Sequence, residues 1–182
     1  MIITILALIA FFIASNVFVE YTNRSTMNWR EQPMSAYLAG VKLASLQDAG
    51  FIALAIALPF IAYVFGGSYT VQALALYVAA VALVAVVVTK LAIHDHSWSA
   101  DKALLERVHI ICAGVAFSGV ELALLIHTWG HGLPFVLTLA GPAVTFLLYR
   151  FAAANEADAL EEKSLAALQM AAFVSILMPL IT

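Results

Sequence analysis

Charge is scarce in this chain. Of its 182 residues only 10% are Asp, Glu, Lys or Arg, against 64% hydrophobic, and the mean hydropathy is +1.01. A soluble domain of this size needs more polar surface than that, so the composition excludes one and points to an integral membrane protein. The few basic residues are spread thinly and the net charge is -3. No basic stripe exists to neutralise a phosphate backbone, which excludes nucleic acid as a partner. Cysteine is almost missing too. Cys112 stands alone inside an apolar run, which rules out an internal disulfide, a CxxC redox pair and a cysteine zinc site.

What the sequence does have is long apolar runs, at 1–19, 49–65, 70–88, 108–126, 133–149 and 165–181. Unpaired backbone groups are costly in lipid, so spanning segments are helices or closed barrels, and runs this long without alternation are helical. The expectation is an all-α bundle of six transmembrane helices forming a single transmembrane domain over 1–182. The first run has no basic residue before it and exceeds the ~7 to 15 apolar residues of a signal core, so it reads as a span. "FGGSY" and "WGHGLP" supply two tight turns. Before the second run, "PMSAYLAGVKLASLQDAG" has a cap-like Ser35, so 35–47 is expected to be an interfacial helical lead-in. In the fourth run, Gly114, Ser118 and Gly119 form a small-residue stripe suited to close helix packing.

If the helices alternate in direction, the loops after the first, third and fifth share one side. They hold Arg24, Arg30, Lys42, Lys90, Lys102, Arg107, Arg150 and Lys163, every basic residue of the chain. The positive-inside rule then places that side of a multi-pass protein in the cytoplasm and both termini outside. Trp29, Trp98, Trp129, Tyr21, Tyr69 and Tyr149 fall near the expected interfaces. The acidic group Glu156, Asp158, Glu161 and Glu162 reads as a solvated helix end.

Three polar constellations stand out from this background. "HDHSWSADKALLERVH" places His94, Asp95, His96 and His109 at one junction. Imidazole and carboxylate suit a divalent metal, so His94, His96 and His109 are candidate ligands for a single ion at the cytoplasmic face. A solvated loop explains the same residues. "HTWGH" carries His127 and His131, which share a helical face only if the helix runs past Gly130. His109 and His127 are eighteen residues apart, ~27 Å along a helix, too far to share a metal. Haem is disfavoured, because no other apolar run supplies an axial histidine.

The third feature is Glu121, deep in "FSGVELALLIH". A charged carboxyl at that depth costs ~2.5 to 3.5 kcal/mol, which makes it a candidate proton or polar-substrate contact. The alternative is a neutral acid hydrogen-bonded across a helix interface, with Gln72, Thr145 and Tyr77 as candidate partners.

"REQPMSAYLAG" before the second run, together with "HDHSWSADKALLERVHIICAGVAF", resembles the six-helix prokaryotic membrane family catalogued as domain of unknown function 998. The resemblance spans nearly the whole chain and rests on Ser35, Asp95 and His109. It implies the fold, a prokaryotic cytoplasmic membrane and no particular reaction. Those three residues also suit a hydrolytic site, with Ser35 as nucleophile, His109 as base and Asp95 orienting it. A zinc-water hydrolase at His94, His96 and His109 is equally drawable. The leading expectation is an accessory or interaction subunit in a larger membrane complex or homo-oligomer. An intramembrane hydrolase or metal protein and a small proton-linked transporter are the alternatives.

Overall fold

The computed structural model describes residues 1–26, 28, 30–34, 42–66, 70–94 and 102–181. Six helices follow one another: α1 (Ile2–Asn23), α2 (Ala44–Val64), α3 (Val71–His94), α4 (Lys102–Thr128), α5 (Gly132–Phe151) and α6 (Ala154–Leu177), with a 3-10 turn at Met178–Leu180. All six are long and apolar enough to cross a membrane, so the all-α multi-pass reading holds. Several helices run further than their apolar cores. α4 starts at Lys102 and α6 at Ala154, because amphipathic turns rich in Lys, Arg and Glu extend both helices beyond the lipid-soluble stretch.

Each link has a local cause. At the end of α1, the Asn23 amide donates to Val19 O at 2.8 Å and Lys42 O at 2.9 Å, and its Oδ1 accepts the Lys42 N–H at 2.9 Å. That clamp holds the entry to α2, where Leu43 adopts a left-handed φ of 65°. Of the expected lead-in 35–47, the part from Ala44 belongs to α2 itself, and Ser35 lies outside the described residues. Gly130 (φ 75°) and Gly132 (φ 50°) turn α4 into α5, conformations that L side chains resist. Pro59 and Pro142 both sit inside continuous helices.

Neighbours in sequence pack as antiparallel neighbours in space. Asn16 meets Gln47, Lys90 meets Asp48, Thr89 meets His109, Phe65 meets His127, and Tyr149 meets Asp158. Lys163 of α6 returns to Glu20 of α1 at 3.0 Å. All eight Lys and Arg therefore gather at one end of the bundle, called here the basic end. The core is built from Ile5, Ile9, Leu54, Leu58, Leu83 and Phe173, among others under 2% exposed. Lipid tails are as apolar as leucine, so close contact rather than the hydrophobic effect joins such helices. Gly50 of α2 lies so near α1 that an added Cβ would stand 2.0 Å from Ser15 Oγ. Gly119 of α4 does the same to α3, with Ala75 O at 2.9 Å.

One polar chain crosses this core near the basic end. Gln47 Nε2 donates to Asn16 Oδ1 at 2.9 Å, while Lys90 Nζ donates to Gln47 Oε1 at 3.2 Å and to Asp48 Oδ1 at 2.5 Å. Lys90, expected among the loop cations, is inside α3 and 3% exposed. Its charge is met by a carboxylate from the neighbouring helix, which ties α1, α2 and α3 together.

Candidate functional site

Of the residues expected at the first junction, His109 is the one the structure describes in full. Ser35, Asp95 and His96 lie outside the described residues, as does the side chain of His94, whose backbone closes α3. Because α4 begins at Lys102, His109 sits in its third turn rather than its first, 7% exposed. Its Nδ1 stands 3.2 Å from Val86 O and 3.1 Å from Thr89 Oγ1. The Thr89 hydroxyl is committed to Ala85 O at 2.7 Å, so the imidazole N–H is the donor and Nδ1 carries the proton. His109 thereby pins α4 to α3. Among the described residues, no three of His, Cys, Asp and Glu stand close enough to hold a metal ion.

The opposite-end histidines part company. α4 stops at Thr128, and the left-handed Gly130 turns the chain before His131, so the two rings share no helical face. His127 stacks flat on Phe65, with centroids 3.6 Å apart and planes 2° from parallel. With Thr128, Pro134 and Ile176, the two histidines line a cleft of about 280 Å³ between the ends of α4, α5 and α6.

Glu121 faces the interior of the α4, α5 and α6 junction. Its carboxylate lies against Gly141 of α5, where an added Cβ would be 3.3 Å from Oε1 and 3.4 Å from Oε2. Its partner is none of Gln72, Thr145 or Tyr77. Gln169 of α6, 1% exposed, donates through Nε2 to Glu121 Oε2 at 3.1 Å and to Phe117 O at 2.9 Å. Both amide hydrogens are thus used. Glu121 Oε1 and Gln169 Oε1 are buried with no hydrogen-bond partner among the described residues. Two facing groups with two spare acceptors and no spare donor accommodate an incoming proton, which turns one oxygen into a donor.

A second cleft, of about 450 Å³, is lined by the same three helices towards the basic end. His109, Ala113, Gly114, Phe117 and Ser118 of α4 line one wall, at the spacing of a single helical stripe. Asp158, Glu161, Glu162 and Leu165 of α6 line the other, with Tyr149 at the rim donating to Asp158 Oδ1 at 2.8 Å. The next residues on these two stripes are Glu121 and Gln169. Glu162 is only 8% exposed, so the acidic group is not simply a solvated helix end. The small-residue stripe also divides: Gly119 is a packing contact, whereas Gly114 has open space where a Cβ would go.

Sequence reasoning singled out Glu121 but missed Gln169, although "LAALQMAAF" makes it the one amide of that apolar run. No protein-family model, curated protein or solved structure was found to match this chain.

Proposed function

We propose that this protein is a small proton-linked membrane transporter in which Glu121 carries the proton. The observation that supports the reading is positional. A carboxyl–amide pair with two buried spare acceptor atoms lies on one helix junction between two clefts, one lined by residues towards each end. A group that takes a proton from one side and delivers it to the other needs that placement, and it needs an element that can yield. α5 offers one: Pro142 cannot donate to the carbonyl one turn back, next to the Gly141 that touches Glu121. By the positive-inside rule the basic end faces the cytoplasm of a prokaryotic inner membrane and both termini face outward.

The accessory-subunit reading draws in part on the small-residue stripe as a packing seam, and two of its three residues, Gly114 and Ser118, line a cleft instead. The hydrolase reading needs Ser35, Asp95 and His109 and the metal reading His94, His96 and His109, while the Nδ1 of His109 is engaged with α3. Dicyclohexylcarbodiimide tests the transporter reading, because it enters lipid and attacks carboxyls that carry a proton. The expected result is an adduct at Glu121, read by peptide mass, with protein-dependent proton flux falling as the adduct forms. An unmodified Glu121, or a modified one with full flux, would overturn the reading.

A further inference from the structure

The two clefts come unequally near to Glu121 and Gln169 along α4 and α6, ending at Ser118 and Leu165 on one side and at His127 and Ile176 on the other, and the difference assigns a direction. From His109 to Glu121 is twelve residues of α4, about 18 Å of rise. The basic-end cleft covers most of that distance, since its deepest lining residues, Phe117, Ser118 and Leu165, sit within about one turn of the Glu121–Gln169 pair. Gly114 lies midway along the wall, exposed and with nothing within 4 Å of a Cβ position, so no neighbouring helix closes the cleft at its middle. Towards the other end the same two stripes continue as Leu124 on α4 and as Phe173 and Leu177 on α6, all 0% exposed. Phe65 packs on Phe173, with ring centroids 6.1 Å apart, and caps that plug beneath His127.

We propose that the α4–α6 cleft is the water-filled entry through which the Glu121 site exchanges protons with the basic end alone, in the conformation seen here. Gly114 and Ser118 are the residues that keep the entry passable. His109 and the carboxyls of Asp158, Glu161 and Glu162 face the same passage and set its polar mouth. The proton is taken from hydronium or water at the mouth and bound by a Glu121 oxygen, so no other reactant is needed. This inference rests on Glu121 as the proton-carrying group, yet access can be read without any flux.

The test is thiol labelling in proteoliposomes with a membrane-impermeant methanethiosulfonate, in a Cys112→Ala background. Lys102→Cys marks the basic end and Trp129→Cys the opposite end, since the Lys102 side chain is 72% exposed and Trp129 is 73% exposed. Ser118→Cys is expected to label only from the side that labels Lys102→Cys. Adding Gly114→Leu should slow that reaction by about tenfold or more, whereas Gly114→Ala, which fits the open space, should leave it nearly unchanged. Labelling of Ser118→Cys from the Trp129→Cys side, its failure from both sides, or indifference to Gly114→Leu would overturn the proposal. Carbodiimide reactivity of Glu121 is scored separately, so a sealed cleft and a proton-free Glu121 give different results.

Discussion

Removing Asp48 should be among the most damaging single changes outside the proposed proton site. The Lys90 side chain is 4% exposed and that of Asp48 13%, and the two meet at 2.5 Å across the α2–α3 interface. Asp48→Asn leaves the ammonium buried without its counter-charge, facing only neutral amide oxygens, that of Gln47 at 3.2 Å and that of the new Asn. Breaking a buried pair from one side costs about 3–5 kcal/mol, mostly the penalty of the stranded charge. For a chain of this length, each kcal/mol moves Tm by roughly 2–4 °C, so Asp48→Asn should melt about 6–20 °C lower in nanodiscs, followed by circular dichroism. Lys90→Met combined with Asp48→Leu removes both charges and strands only the Gln47 oxygen, a loss of about 1–3 kcal/mol, so the double variant should be the more stable. A Tm for Asp48→Asn equal to wild type, or a double variant worse than the single, would refute the buried pair.

Two further changes test the helix contacts. Gly50→Ala forces a methyl to within 2.0 Å of Ser15 Oγ and should destabilise by about 1–3 kcal/mol, most of it relieved in a Ser15→Ala background; equal penalties in both backgrounds would deny the contact. His109→Ala should cost about 1–3 kcal/mol by thermal melting, and Thr89→Ala should cost less in that variant than alone; strict additivity would show that the 3.1 Å contact contributes nothing.

The span count was legible because hydropathy integrates over a whole membrane thickness, and six apolar runs became six helices. The helix ends were less so. Residues such as Arg107, Glu161 and Glu162 are helical at the membrane boundary, where polar side chains are no longer penalised and hydropathy falls although the backbone continues. Glu121 was legible as an exception to its surroundings, but its partner was not. Which of Gln72, Thr145, Tyr77 or Gln169 it meets depends on the rotation of four helices about their axes, and weak amphipathicity leaves that rotation unwritten. Gly114 and Gly119 make the same point, since a glycine against a neighbouring backbone and a glycine facing an open cleft are spelled alike. The buried Lys90 was hidden for a related reason. Its place near the end of an apolar run read as a loop cation, and only the approach of Asp48 and Gln47 from α2 makes burial tolerable.

The central claim is that Glu121 carries the transported proton. Its most direct test is the rate of internal pH change in pyranine-loaded proteoliposomes after an external acid step, with valinomycin and potassium clamping the voltage. The account predicts that wild-type protein exceeds empty liposomes, that Glu121→Gln falls to their level, and that Glu121→Asp keeps part of the rate. Glu121→Gln proteoliposomes as fast as wild type would contradict it.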